Sequence, residues 1–271
     1  MSLREIREEL IELVQSNLSV LLNPVAIADV GGELEETAGA LQALGICNLL
    51  LYADTDRFYE NLVRSGHTRL YFLRKSREEG NLTDYQLAIS RWDSFLDAVA
   101  AGHFVLAREI VTLSGETWVS TGEYEDDFLN RLFLHRFISP PRPDREQQLR
   151  DPLTRWRTWL EAKASPRVDC CEALLARDSA AFAKAFEALI AARQMQTARE
   201  SKTTLAADIT FEPRSHVFVE GLAYLRLASA VGFTLEPEYP LCPSVARMPA
   251  GKPYPADMFP EIELERARGL S

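Results

Sequence analysis

The residues with the clearest chemical potential are charged groups inside an apolar stretch near the C-terminus. Glu220 and Arg226 interrupt the run from Val217 to Val231, and Tyr224 lies one helical turn from Glu220. A charge inside an apolar helix is unfavourable unless it is paired. These three residues therefore predict a buried polar network with partners on other helices. The alternative is the wall of a ligand pocket, which would suit an enzyme.

Two acidic groups could instead contact a basic partner. The first group is the acidic run 123–127, which includes one aromatic residue: Glu123, Tyr124, Glu125, Asp126 and Asp127. The second group consists of Glu33, Glu35 and Glu36. Each group stands where a helix is predicted to begin, and carboxylates there also relieve unpaired N–H groups. Helix capping and solvation therefore explain both groups. The other interpretation is an acidic, aromatic-bearing patch that docks into a basic groove.

Motifs for catalysis or metal binding are missing from the sequence. The four histidines and four cysteines have no spacing that assembles a metal site, and there is no CxxC pair. The chain also contains no nucleophile elbow, phosphate-binding loop or dinucleotide-binding motif. We therefore expect no catalytic residues, no metal and no cofactor, and a protein that is not an enzyme.

Composition narrows the class of partner. The 271 residues carry a formal net charge of −10, which argues against nucleic-acid binding and favours a basic partner. No apolar run reaches the roughly 18 residues of a membrane span, and the charged N-terminal residues do not form a signal peptide. We expect a cytoplasmic protein without a membrane partner.

The elements that position these residues are predicted to be helices joined by a recurring corner. The corner occurs at 52–58, 100–104 and 176–182, where a helix ends in small or polar residues and another opens with Phe in its first turn. The spacing is irregular, so a solenoid is not expected. The pattern predicts an all-α fold, an irregular stack of antiparallel helical hairpins with about nine or ten helices and an extended proline-rich C-terminal tail.

Several boundaries can be predicted within this fold. We expect a turn at Gly31-Gly32, a break at Ser65-Gly66, a helix capped within 81–84 that contains Trp92, a helix start at Asp151-Pro152, and a last helix over 213–232. The chain is expected to be a single helical domain over 1–271. It could divide into subdomains 1–138 and 144–271, because the proline-rich segment 139–143 cannot be helical.

The C-terminal part also resembles a known family. The segment 218–228, followed by Gly232 and then by 238–243, resembles the immunity protein 49 family. The helix with Phe182, Phe186 and Leu189 and the corner near Gly102 fit the same pattern. The resemblance implies an all-helical cytosolic protein, encoded beside an antibacterial toxin, that protects the producing cell by binding the toxin.

Three hypotheses follow. The leading one is a protein that neutralises a cognate toxin by occluding a basic active site with acidic side chains. The second is a helical-repeat scaffold that binds a peptide or regulatory partner in a concave groove. The third is an enzyme with a buried polar pocket around Glu220 and Arg226.

Overall fold

A computed structural model describes residues 1–80, 84–161 and 163–269, and within these ranges every regular element is helical. The α-helices are α1 (Leu3–Val20), α2 (Gly31–Tyr52), α3 (Thr55–Glu78), α4 (Asp84–Leu87), α5 (Ser94–Ala100), α6 (Phe104–Leu113), α7 (Glu125–Ile138), α8 (Arg145–Trp159), α9 (Pro166–Ala176), α10 (Ser179–Glu200), α11 (Phe211–His216), α12 (Val219–Ala230) and α13 (Phe259–Gly269). Short 3-10 turns cover Ile27–Val30, Thr204–Ala207 and Ser244–Arg247. The all-α prediction is confirmed.

The three predicted corners form by local capping. At the α2–α3 corner Ala53 adopts φ 51°, and the Asp54 carboxylate accepts a hydrogen bond from the Arg57 N–H. The α9–α10 corner repeats this arrangement with a left-handed residue followed by Asp178 as the cap. At the α5–α6 corner Gly102 has φ 78° and His103 supplies the cap. A left-handed residue ends each helix and a side-chain acceptor starts the next, so these turns are encoded locally.

Helix α5 lies at the centre of the fold. All seven of its residues are buried, and it packs against α2, α3, α6 and α12. Helix α2 also packs against α1 and α3, while α7, α8, α9 and α10 form a chain of neighbours on the C-terminal side. One hydrophobic cluster runs from Leu21 to Phe259 and includes residues from both sides of the segment 139–143. Among the described residues, none of the helices is both long and apolar enough to cross a bilayer.

Two predicted interruptions in the N-terminal half are wrong. Gly31 has φ −63° and begins α2, so Gly31-Gly32 is helical and the turn precedes it. Helix α3 continues through Ser65-Gly66. A Cβ at Gly66 would lie 2.6 Å from Cδ2 of Leu106, so this glycine permits close packing of α3 against α6.

The helix predicted to begin within 81–84 and to contain Trp92 divides into α4 and α5, and Trp92 lies in the link between them. A distant contact holds this link, because the Glu123 carboxylate accepts hydrogen bonds from the Ser90 N–H at 2.9 Å and hydroxyl at 2.7 Å. The predicted cap at residues 81–83 lies outside the described residues, and Asp84 is the first residue of α4.

The predicted helix start at Asp151-Pro152 is also wrong, because Pro152 lies inside α8. Proline cannot donate to the carbonyl four residues earlier, which is that of Gln148. The Arg136 guanidinium donates to this carbonyl instead, at 2.8 Å. A side chain of α7 thus satisfies the acceptor that proline leaves open.

The predicted last helix over 213–232 is interrupted between α11 and α12. We call residues 231–258, between α12 and α13, the C-terminal segment. At the break, the Phe218 N–H donates to the carbonyl of Leu241 in this segment at 2.8 Å. This segment crosses the helical body, where the Tyr254 hydroxyl donates to the Ala101 carbonyl at 2.8 Å. It leads into α13, whose Phe259 ring stacks on Tyr71, so α12 is not the last helix.

Candidate functional site

Two adjoining cavities of about 680 and 740 Å³ share Asp93, Asp208, Thr210 and Arg214, and together they form one large concave feature. We call the combined feature the acidic cleft, because nine acidic and four basic side chains of the described residues line it. One half contributes Glu35, Glu36 and Asp97, the other contributes Asp126, Asp127, Glu200 and Glu220, and Asp93 and Asp208 line both. The cleft lies where α2, α5, α7, α10 and α12 converge.

The predicted acidic run divides between this cleft and other surfaces. Asp126 and Asp127 line the cleft, whereas Glu123, Tyr124 and Glu125 do not. Glu123 organises the preceding loops by accepting from Ser90 and from the Val119 N–H, and Glu125 pairs with Arg155 at 2.6 Å. Tyr124 is 78% exposed and makes no side-chain cap.

The second predicted acidic group divides in the same way. Glu35 and Glu36 of α2 line the cleft, and Glu33 does not. The Glu33 carbonyl accepts from the Thr37 hydroxyl, one turn later in α2. Folding therefore brings Glu35 and Glu36 together with Asp126 and Asp127 along one continuous depression.

Ion pairs neutralise part of the negative charge of the cleft. Arg167 lies 2.8 Å from both Asp127 and Glu220, and Arg91 lies 2.9 Å from Glu35. Asp93 has a weaker pair at 3.5 Å with Arg131 of α7, and Glu200 lies 3.9 Å from Arg193.

Four carboxylates of the cleft, those of Glu36, Asp97, Asp126 and Asp208, have no ion pair among the described residues. Glu36 accepts a hydrogen bond from Asn17, and Asp208 accepts from the Thr210 N–H. Glu36 and Asp208 are exposed and Asp126 is half-buried. The cleft thus presents unneutralised negative charge to solvent.

Asp97 forms the floor of the cleft and is only 1% exposed. Its Oδ1 accepts from Gln42 Nε2 at 2.5 Å, and its Oδ2 accepts from Ser65 Oγ at 2.6 Å. Burial, reinforced by the charge of Asp93, raises the pKa of Asp97 to about 7, while Arg214 acts in the opposite direction. Asp97 is not among the site residues predicted from the sequence, although a carboxylate between the apolar residues of a helix carries the same signal as Glu220.

Glu220 and Tyr224 belong to a polar network that joins α7, α9 and α12. Asn130 Nδ2 donates to Glu220 Oε1 at 3.2 Å, and the buried Tyr224 hydroxyl donates to Asn130 Oδ1 at 2.6 Å. Arg167 completes the network, and the nearby carboxylate of Glu220 is the first cause that raises the pKa of this guanidinium. Glu220 is thus both a structural partner and a wall of the acidic cleft.

Arg226 lies apart from this network. Its Nε donates to the Ala100 carbonyl at 3.1 Å, and one terminal nitrogen donates to the Tyr59 hydroxyl and the Met248 carbonyl. It lines a smaller cavity of about 460 Å³ beneath the C-terminal segment. The structure therefore brings Glu220 and Tyr224 together through Asn130, while Arg226 fastens the C-terminal segment to α3 and α5.

The histidines and cysteines do not converge on the cleft. Within the described residues, no three histidine, cysteine, aspartate or glutamate side chains are placed so that they could hold one metal ion. All four cysteines are buried as free thiols, including the adjacent Cys170 and Cys171 in α9. Burial raises the pKa of the Cys47 thiol to about 11, as expected for an inert packing residue.

Comparison with known proteins identifies a family. The family model described as immunity protein 49 matches residues 51–246. Neither a curated protein nor a solved structure shows significant similarity to the chain. The matched range includes Asp97, Asp126 and Glu220, whereas Glu35 and Glu36 precede it.

Proposed function

Because the chain belongs to the immunity protein 49 family, we propose that it neutralises a cognate antibacterial toxin by binding it directly in the cytoplasm of the producing cell. In this proposal the protein covers the active site of the toxin and needs no chemistry of its own. Affinity and a complementary surface suffice for this role, since a tight complex excludes the toxin's substrate.

The acidic cleft is the proposed contact surface. The observation that carries this proposal is the set of carboxylates without an ion pair, Glu36, Asp97, Asp126 and Asp208, in a chain of net charge −10. Such groups attract a basic surface, increase the association rate and orient the encounter. Toxins that act on nucleic acids or nucleotides need basic clefts, and carboxylates can occupy the positions of the substrate phosphates there.

The enzyme hypothesis has less support from the geometry. Glu220 lines the acidic cleft, whereas Arg226 lines the smaller cavity beneath the C-terminal segment. The two residues therefore do not share the pocket that this hypothesis required. The scaffold hypothesis needs a groove built from repeated hairpins, and the cleft is instead lined by helices distant in sequence.

The test is co-expression with the product of the adjacent toxin gene, measured as co-elution in size-exclusion chromatography and as protection from growth arrest. We expect a stoichiometric complex that restores growth. Reversing two cleft charges with Glu36→Lys and Asp126→Lys should weaken binding by at least about a hundredfold, because like charges facing each other across an interface are strongly unfavourable.

The matched control is Glu8→Lys with Glu187→Lys, which makes the same change in net charge at exposed positions outside the cleft. It should leave binding within about twofold, since distant exposed charges are screened by salt. Equal loss in both double variants would show that net charge, and not the cleft, determines binding. Full binding by the cleft variant would contradict the proposed contact surface.

A further inference from the structure

The floor of the acidic cleft has the properties of a binding site for one positively charged group. It lies in the cavity of about 680 Å³ between α2 and α5, which is within the usual size range of ligand pockets. We propose that this floor is a socket for a single arginine or lysine side chain, presented by the bound toxin, with Asp97 as the carboxylate that pairs with it. The identity of the partner rests on the proposed function, whereas the socket can be tested without the toxin.

The hydrogen bonds of Asp97 leave room for such a cation. Gln42 and Ser65 each donate to one of its two oxygens, and a carboxylate has about four acceptor positions in total. Among the described residues no basic side chain lies within ion-pair distance of Asp97. The two neutral donors fix the direction of the carboxylate, and no ion pair neutralises its charge, which Arg214 offsets only from beyond ion-pair distance.

This arrangement is unfavourable for the protein alone. A buried carboxylate without a counter-charge destabilises the folded state, and neutral residues of similar shape would fill the position at a lower free energy. Groups that reduce stability in this way concentrate at binding and catalytic sites. A bound cation would supply the missing counter-charge, which gives a physical reason for an acid at this position.

The surroundings of Asp97 favour a cation over an anion or a neutral group. Glu36, Asp93 and Asp208 line the same cavity and would attract a positive charge toward the floor. Two arginines also face it, and both have other partners: Arg91 pairs with Glu35, and Arg214 donates to the Gly39 carbonyl at 3.4 Å. Leu13, Trp92 and Ile209 offer apolar contacts for the methylene stem of a long basic side chain.

The first experiment uses the full chain and N-acetyl-arginine amide as a probe, with N-acetyl-citrulline amide as its neutral counterpart. Binding is followed by the chemical shift of the Asp97 carboxyl carbon and by calorimetry. We expect the charged probe to bind at least tenfold more tightly than the neutral one. Asp97→Asn should remove this preference, and the exposed variant Glu265→Gln should retain it. Equal binding of both probes, or an unchanged preference in Asp97→Asn, would overturn the socket.

A second variant distinguishes loss of the binding site from an effect of the Asp97 substitution on folding. Gly32 lines the same cavity, and a Cβ added there meets no atom within 4 Å. Gly32→Leu therefore starts from an unobstructed Cβ and should narrow the cavity, so we expect it to reduce binding of the charged probe at least tenfold. Its circular dichroism should match that of the parent, and its melting temperature should be no lower. Probe binding that persists in both variants would place the cation elsewhere.

The dependence on pH gives a further readout. Because a cation pairs with the ionised carboxylate, and the pKa of Asp97 in the free protein is about 7, the ionised fraction falls from about one half at pH 7 to about one tenth at pH 6. Binding should therefore weaken about fivefold between these two pH values. The proposed function is judged separately by the wild-type toxin complex. A protein that binds the charged probe but no toxin would retain the socket and refute the immunity role. A toxin complex unaffected by Asp97→Asn would refute the use of the socket by the toxin.

Discussion

Replacing Asp97 by asparagine should stabilise the fold, increasingly so as the pH rises. Asparagine preserves the shape of the side chain, and its amide can accept from Gln42 while donating to the Ser65 hydroxyl. In the wild-type protein the pKa of Asp97 rises from 3.8 to about 7 on folding, chiefly by burial. The folded state therefore binds the proton more tightly than the unfolded state. This contribution to stability is fully present below about pH 4 and is lost as the pH rises to 7.

The expected magnitude follows from this shift of the pKa. Each unit corresponds to about 1.4 kcal/mol, so the complete ionisation of Asp97, from well below pH 4 to well above pH 7, lowers the free energy of unfolding by about 4 kcal/mol. About two of the three pKa units of this shift lie between pH 5 and pH 7. The advantage of Asp97→Asn over the wild type should therefore grow by about 3 kcal/mol between pH 5 and pH 8.

The assay is urea denaturation of both proteins at these two pH values. The difference between variant and wild type cancels the titration of all other groups, provided that the m-values agree. The variant Glu187→Gln controls for the loss of one negative charge at an exposed position. An advantage of Asp97→Asn that is the same at both pH values would refute the conclusion that Asp97 is a buried carboxylate without a counter-charge.

Two further predictions concern packing and the polar network. Gly66→Ala should lower the free energy of unfolding by about 1–3 kcal/mol, because the new Cβ would lie 2.6 Å from Leu106; Gly32→Ala, with open space at its Cβ, should be neutral or slightly stabilising. Tyr224→Phe should lower the free energy of unfolding by about 1–2 kcal/mol, because the buried Asn130 Oδ1 loses the hydrogen bond of 2.6 Å that the Tyr224 hydroxyl donates. Urea denaturation measures all three, and a Gly66→Ala variant as stable as Gly32→Ala would contradict the close approach of α3 and α6.

Three of the boundaries that the sequence predicted incorrectly share a physical cause. A side chain or carbonyl distant in sequence holds the chain at each of three such positions: Glu123 binds Ser90 in the α4–α5 link, Leu241 accepts from Phe218 at the α11–α12 break, and Arg136 satisfies the acceptor left open by a proline in α8. Local patterns contain no information about these partners. Helix breaks and continuations of this kind are decided by tertiary hydrogen bonds.

The residues of the candidate site were also only partly predictable from the sequence. The sequence located two acidic groups, but it could not determine which of their members face one another. Asp126 and Asp127 line the cleft with Glu35 and Glu36, while Glu123 and Glu125 bind other partners. Successive residues of a helix point about 100° apart, so one surface cannot receive every member of an acidic run that spans more than a turn.

The sequence by itself determined the helical class, the capped corners and the negative charge, because these depend on composition and on residues within a few positions of each other. The corner at Asp54 is an example, since its left-handed residue and its cap are adjacent in the chain. Only the tertiary structure decided that Asp97 is the buried floor of a cleft. Its burial depends on α2, α3 and α5 meeting around it, and its partners Gln42 and Ser65 lie 55 and 32 residues away.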